Sequence, residues 1–155
     1  MLDMTGKVVF IAGAGSVGDG WGNGKATAVL MARQGASVFG VDLSAEALES
    51  TRAAMAAEQH ENVAFRPCDM TESSDVEAAV AACLERFGRI DVLVNNVGGS
   101  APGDPVTMTE DTWDAQMELN LKTAFMGCKH VLPHMERQFQ EEGRRSAIVN
   151  VSSIG

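Results

Sequence analysis

The chain has 155 residues, of which 45% are hydrophobic and 21% charged, a composition typical of one globular domain. Its formal net charge of -9 argues against binding to nucleic acid or to anionic membranes. No apolar run approaches the ~20 residues of a membrane span, residues 1–4 show no signal-peptide pattern, and the cysteines are widely spaced. We therefore expect a cytoplasmic protein with reduced thiols and no metal site.

Short apolar runs alternate with helical patterns along the whole chain. Strands are predicted over residues 7–12, 37–41, 63–65, 90–94 and 147–151. Helices are predicted over residues 25–34, from an N-cap at Ser44 to about residue 60, from a capping box at Ser74 and Glu77 to residue 87, and from 111 to about 142. Trp113 and the methionines are assigned to the core. This alternation predicts an α/β fold with a parallel sheet covered by helices on both faces.

A glycine-rich segment lies between the first predicted strand and the first predicted helix. Gly13, Gly15 and Gly18 fit the G-x-G-x-x-G spacing, in which a diphosphate can approach the backbone at a helix N-terminus. So many glycines match several patterns, and a flexible turn is the alternative. The position after a buried strand and before a helix favours the phosphate-binding interpretation.

Asp42 ends the second predicted strand, close to the ~20-residue separation expected between the glycine loop and a ribose-binding acid. A carboxylate there accepts hydrogen bonds from a free ribose diol and repels a 2′-phosphate. The position therefore favours NAD over NADP. The alternative is that Asp42 only caps the following turn.

Three later segments complete a known pattern. Residues 91–98 read DVLVNNVG, Asn120 stands in the triplet LNL, and residues 148–153 read IVNVSS. With the glycine loop, they make the chain resemble the N-terminal portion of the short-chain dehydrogenases/reductases over essentially its whole length. The resemblance implies a Rossmann-type doubly wound parallel sheet of strand order 3-2-1-4-5, forming one incomplete NAD(P)-binding domain over residues 1–155. It also implies hydride transfer between nicotinamide and a carbonyl or secondary alcohol, and a homo-oligomer.

The resemblance also assigns roles to individual residues. Gly13, Gly22 and Gly24 match the family's three loop glycines. The full set of expected cofactor contacts is Gly13, Ser16, Gly22, Asn23, Gly24, Asp42, Leu43, Asp69, Met70, Asn96, Val97 and Gly98. Asn120 matches the catalytic asparagine that helps to hold a proton-relay water, and Ser153 matches the serine that hydrogen-bonds the substrate oxygen. The alternatives are a buried, hydrogen-bonded amide for Asn120 and a loop or cap residue for Ser153.

The chain departs from the family pattern at four points. Ala12 replaces a threonine, Val97 replaces an alanine, and residues 17–21 lengthen the glycine loop. The family's Tyr-x-x-x-Lys lies beyond residue 155, and the sequence contains no tyrosine to act as the general acid. We therefore expect either a fragment of a longer enzyme or a chain that binds a dinucleotide or a partner without chemistry. An S-adenosylmethionine-dependent methyltransferase is the third interpretation, since those enzymes also place glycines and an acid at these points.

Overall fold

The computed structural model describes residues 3–18 and 20–153. Residues 1 and 2, which belong to the segment predicted to lack a signal peptide, lie outside this range. Asp19, in the lengthened glycine loop, lies outside it too. The strands are β1 (Val8–Ala12), β2 (Ser37–Asp42), β3 (Val63–Pro67), β4 (Val92–Asn95) and β5 (Ala147–Asn150). The helices are α1 (Asn23–Arg33), α2 (Ala45–Ala57), α3 (Ser73–Phe87), α4 (Glu110–Met117) and α5 (Thr123–Glu142), with a π turn (Glu118–Lys122) between the last two.

All five strands form one parallel sheet in the order β3-β2-β1-β4-β5, which confirms the predicted fold class. The central strand β1 is buried on both faces. Val9 and Ile11 pack with residues of α1 and α2, whereas Phe10 packs with residues of α3 and α5 on the other face. The Phe10 ring stacks on that of Phe39 at 5.5 Å between centroids. This two-sided core fixes the carboxyl end of β1, where the glycine loop begins.

The helix ends follow local side-chain chemistry. Ser44 caps α2 as predicted, because its Oγ accepts the Ala47 N–H at 3.1 Å. The predicted capping box at Ser74 is wrong, because α3 begins at Ser73 with Glu72 as its N-cap residue. The preceding turn explains the difference: the N–H of Glu72 bonds the Asp69 carbonyl, so the N-cap lies two residues earlier than predicted.

The single helix predicted over residues 111–142 consists of α4, the π turn and α5. The assignment of Trp113 to the core is wrong, since 58% of this residue is exposed, and Met117 is 38% exposed. None of the residues of α4 is buried. The apolar pattern of α4 therefore marks a face that no described residue covers. The edge strand β5 also exposes Val149.

Among the described residues, no helix is both long and apolar enough to cross a lipid bilayer.

Candidate functional site

The principal cleft, about 670 Å³ in volume, lies at the carboxyl ends of β1, β2, β3 and β4. The chain runs from β1 outward to β2 and β3 and then crosses back to β4 on the other side of β1, so this is the switch point where open α/β sheets bind ligands. The residues predicted to contact a cofactor all line this cleft: Gly13, Ser16, Gly22, Asn23, Gly24, Asp42, Leu43, Asp69, Met70, Asn96, Val97 and Gly98. Parallel strands that end at one edge bring together these sequence-distant positions.

The end of β1 and the start of α1 touch through backbone alone. A Cβ on Gly24 would lie 1.7 Å from the Gly13 carbonyl oxygen, so no side chain fits there. Gly13 adopts φ +79°, a left-handed conformation that favours glycine. The Nδ2 of Asn96 donates to the Gly13 carbonyl at 2.9 Å, which ties the loop after β4 to the same point.

The first turn of α1 offers amide groups rather than side chains to the cleft. Gly22 is the N-cap residue, makes no side-chain cap, and is followed by no acidic residue in the first turn. The Oγ of Ser16 donates to the Gly20 carbonyl at 2.8 Å and so stabilises the loop in front of the helix. The Lys25 N–H of this turn bonds the Gly15 carbonyl at 3.2 Å, and no side chain caps the helix. A helix N-terminus without a side-chain cap, beside a glycine cradle, suits a diphosphate, because its amides and dipole favour negative charge.

Asp42 both caps the turn after β2 and lines the cleft. Its Oδ1 accepts the Ser44 N–H at 3.0 Å, and its Oδ2 accepts the Gly15 N–H at 2.9 Å. A Cβ on Gly15 would lie 2.8 Å from that Oδ2, so the carboxylate contacts the glycine loop directly. Because a carboxylate has about four lone-pair sites, each oxygen can still accept a ligand hydroxyl.

At the end of β3, Asp69 supplies a second acceptor. Its Oδ1 accepts hydrogen bonds from the Thr71 hydroxyl at 2.7 Å and the Thr71 N–H at 2.8 Å. The hydrogen bond from the hydroxyl is the larger cause, and the one from the N–H is the second. Together they hold the pKa of Asp69 below its ordinary value, so the carboxyl group is anionic at neutral pH. The neighbouring Cys68 is buried, and burial raises the pKa of its thiol to about 11.

At the end of β4, two asparagines face different partners. The Nδ2 of Asn95 donates to the Oδ1 of Asn150 at 2.8 Å, which joins β4 to β5 below the cleft. Asn96 instead contacts Gly13, as described above. Val97, next in the chain, lines the cleft and packs against the core.

The two predicted catalytic residues lie outside the cleft lining. Asn120 sits in the π turn, where its Oδ1 accepts the Gly99 N–H at 2.9 Å and its Nδ2 donates to the Gln116 carbonyl at 2.9 Å. The alternative of a buried amide is wrong in one respect, since Asn120 is hydrogen-bonded but exposed. Ser153 is exposed and follows β5 at the same edge of the sheet.

Several cleft residues were not predicted as cofactor contacts. They are Val17, Ser44, Ala47, Cys68, Thr71, Leu119 and Thr123. Gly15 and Gly18 also line the cleft, and the G-x-G-x-x-G spacing does indicate both of them. No signal marked Leu119 or Thr123, because a π turn leaves no trace in apolar periodicity. Within the described part of the chain, no group of three or more potential metal ligands is present.

Comparisons with known proteins agree with this geometry. The family model described as short chain dehydrogenase matches residues 7–155. The chain is 38% identical over 151 residues to 2-(R)-hydroxypropyl-CoM dehydrogenase of Xanthobacter autotrophicus, covering 96% of this chain and 56% of the relative. It is also 38% identical over 157 residues to a 3-oxoacyl-(acyl-carrier-protein) reductase of Thermotoga maritima, covering 99% and 58%.

Solved structures show the same relationship. A Burkholderia xenovorans protein assigned to the short-chain dehydrogenases/reductases superposes with a TM-score of 0.89 at 46% identity, covering 96% of this chain and 56% of that one. A 3-ketoacyl-(acyl-carrier-protein) reductase of Brucella melitensis, solved with NADH, gives a TM-score of 0.85 at 30% identity, covering 97% and 59%. The chain belongs to the short-chain dehydrogenase family, which sets aside the methyltransferase interpretation. It spans about half the length of the curated relatives it matches.

Proposed function

We propose that residues 1–155 form the NAD-binding domain of an oxidoreductase that acts on a carbonyl or secondary-alcohol substrate. The observation that carries the proposal is the cleft at the switch point, where Gly13 and Gly24 leave room only for backbone. The N-terminus of α1 suits the diphosphate, and Asp42 suits the ribose hydroxyls. The NADH bound to the Brucella melitensis reductase supports the same class of cofactor.

Within this proposal, NAD supplies the hydride acceptor or donor when it is bound. The residues of this chain bind and orient it: the glycine loop holds the diphosphate, Asp69 and Met70 border the adenine, and Asn96, Val97 and Gly98 line the side nearer the reacting ring. Asn120 helps to hold a proton-relay water, and Ser153 hydrogen-bonds the substrate oxygen. These two roles, and the cofactor contacts given to Asp69, Met70, Asn96, Val97 and Gly98, rest on the resemblance to the family.

The sequence has no tyrosine, and no other residue in it is an evident general acid for the carbinol oxygen. We therefore expect the 155-residue chain to bind NAD without turning over substrate, and a longer product containing the Tyr-x-x-x-Lys segment to be active. The test compares both proteins for NADH binding by fluorescence and for NAD-dependent oxidation of a panel of secondary alcohols. Turnover by residues 1–155 alone would contradict the expectation, and failure of both proteins to bind NADH would overturn the proposed function.

A non-catalytic binding module is the second candidate, and the same absence of tyrosine favours it. The intact mass of the protein isolated from its natural source separates the two. A mass well above 16.4 kDa, with peptides that contain Tyr-x-x-x-Lys, supports the enzyme. A mass of 16.4 kDa supports a module that binds a dinucleotide or a partner.

Asp42 carries the proposed preference for NAD over NADP. A 2′-phosphate placed against this carboxylate meets like charge, so NADP should bind at least ~10-fold more weakly than NAD, about 1.4 kcal/mol. Asp42→Asn removes the charge and should reduce that ratio. Glu46→Gln, an exposed acid in the first turn of α2, controls for net charge and should leave the ratio unchanged. Equal affinities of the unaltered protein for both dinucleotides would refute the NAD assignment.

We further propose self-association as a dimer or tetramer through the apolar face of α4 and α5. Trp113, Leu121, Phe125 and Phe139 are each more than half exposed along this helical rod. An apolar face of this kind marks a protein interface more often than free surface. Light scattering should show an oligomer that Phe125→Glu dissociates and that Arg137→Glu, an exposed position on the same helix, leaves intact.

A cytoplasmic location completes the proposal. The three cysteines are free thiols, two of them buried, and thiols persist in reducing compartments.

A further inference from the structure

The helix α4, the π turn and α5 form one continuous helical rod, and its winding changes at Asn120. The π turn Glu118–Lys122 inserts one residue between α4 and α5. Such turns are rare, cost stability, and occur frequently at functional sites. Something in the surroundings must therefore stabilise this turn. The inference below rests on the proposed function, because only that function gives Asn120 a chemical role.

Two side chains of this helical segment donate hydrogen bonds to backbone carbonyls at the π turn. The Thr123 Oγ1 donates to the Leu119 carbonyl at 2.7 Å, and the Asn120 Nδ2 donates to the Gln116 carbonyl at 2.9 Å. Each acceptor lies four residues back, where an α-helix would use its own backbone N–H. Thr123 is only 2% exposed, so water does not compete for its hydrogen bond.

The loop after β4 rests on the amide of Asn120. Its Oδ1 accepts the Gly99 N–H at 2.9 Å, and a Cβ on Gly98 would lie 2.9 Å from the same oxygen. Gly98 and the pair Leu119 and Thr123 line one cleft. The position of Gly98 in the cleft therefore depends on how the helix around Asn120 is wound.

We propose that Thr123 is a positioning residue: its hydroxyl holds the π turn and so keeps the Asn120 amide against residues 98–99. Without the hydroxyl, the rod can regain the α-helical register. A shift of one residue rotates a side chain by about 100° around the helix axis, enough to take Asn120 away from Gly99.

Hydrogen exchange at the Gly99 amide, resolved by mass spectrometry without nucleotide, tests the proposal. Thr123→Val removes the hydroxyl at nearly constant volume and should speed Gly99 exchange about tenfold, the factor that an ordinary hydrogen bond gives. Thr123→Ser keeps the hydroxyl and should retain the protection. Val131→Ala weakens the buried side of the same helix without touching the turn, and should leave Gly99 unchanged.

Thr123→Ala serves as a second hydroxyl-free variant, so that the test survives poor folding of the valine variant. Asn120→Ala should speed Gly99 exchange to the same rate, and the Asn120→Ala/Thr123→Val double variant should be no faster than Asn120→Ala. Unchanged exchange in both hydroxyl-free variants, or additive effects in the double variant, would overturn the proposal. The measurement needs no bound NAD, so it can succeed or fail independently of the proposed function.

In the active, longer protein, Thr123→Val should also lower kcat, because Asn120 is displaced, and Thr123→Ser should recover it. An unchanged kcat in Thr123→Val would contradict the positioning role.

Discussion

Replacing Gly24 with alanine places a methyl group where the end of β1 already stands. The added Cβ would lie 1.7 Å from the Gly13 carbonyl oxygen and 2.9 Å from the Nδ2 of Asn96. Backbone cannot give way as a flexible side chain can, so α1 must move. Overpacking of this kind costs about 1–3 kcal/mol, and loss of the Asn96–Gly13 hydrogen bond adds about 1 kcal/mol. The better helix propensity of alanine returns about 1 kcal/mol.

The net loss of about 1–3 kcal/mol corresponds to a fall in Tm of roughly 3–10 °C for a chain of this size. Thermal unfolding followed by circular dichroism measures it, and NADH fluorescence should show at least ~10-fold weaker binding because the amides of α1 are displaced. Gly20→Ala is the matched control: it alters the same loop, and its Cβ would meet no atom of the described residues within 4 Å. If the two variants unfold at the same temperature, the argument from close packing is wrong.

Two further predictions concern cysteine reactivity and acid stability. At pH 8, iodoacetamide should modify Cys128 of the native protein well before Cys68 and Cys83, because burial raises the pKa of those two thiols to about 11 and about 12. Peptide mass spectrometry measures this, and equal labelling in native and unfolded protein would contradict it. Thr71→Val should shift acid unfolding to higher pH, since the Thr71 hydroxyl is the main cause of the lowered pKa of Asp69. Because the pKa of Asp69 is lower in the folded than in the unfolded protein, its ionised form stabilises the fold at pH values above the unfolded pKa, near 3.8. This contribution disappears as the pH falls through the folded pKa. A pH titration by circular dichroism with identical midpoints would count against this assignment.

The sheet and most of the cleft could be predicted from the sequence. Buried parallel strands are continuous apolar runs, and the strand ends carry the polar and glycine residues. Once the strand order is known, residues as distant as Gly13, Asp42, Asp69 and Asn96 must meet at one edge. The glycine loop could be located by position, although composition alone did not show which glycines are sterically required.

Three features could not be predicted, each for a physical reason. The π turn depends on which carbonyl each N–H selects, a choice of one residue that an apolar period cannot show. The exposure of Trp113 depends on what covers the apolar face of α4, and an amphipathic pattern does not identify that neighbour. The start of α3 depends on the turn at Asp69, which competes with the capping pattern at Ser74.

The two backbone hydrogen bonds of Asp42 bear on any attempt to redesign this protein for NADP. A redesign that installs a basic side chain at this position would remove the acceptor of the Gly15 N–H as well as the repulsive charge. The loop would then lose an anchor at the moment when it is asked to hold a larger, more highly charged ligand. Asp42 therefore determines both the proposed cofactor preference and the order of the glycine loop. A successful change of preference to NADP must supply a new hydrogen-bond acceptor for the Gly15 N–H from another residue.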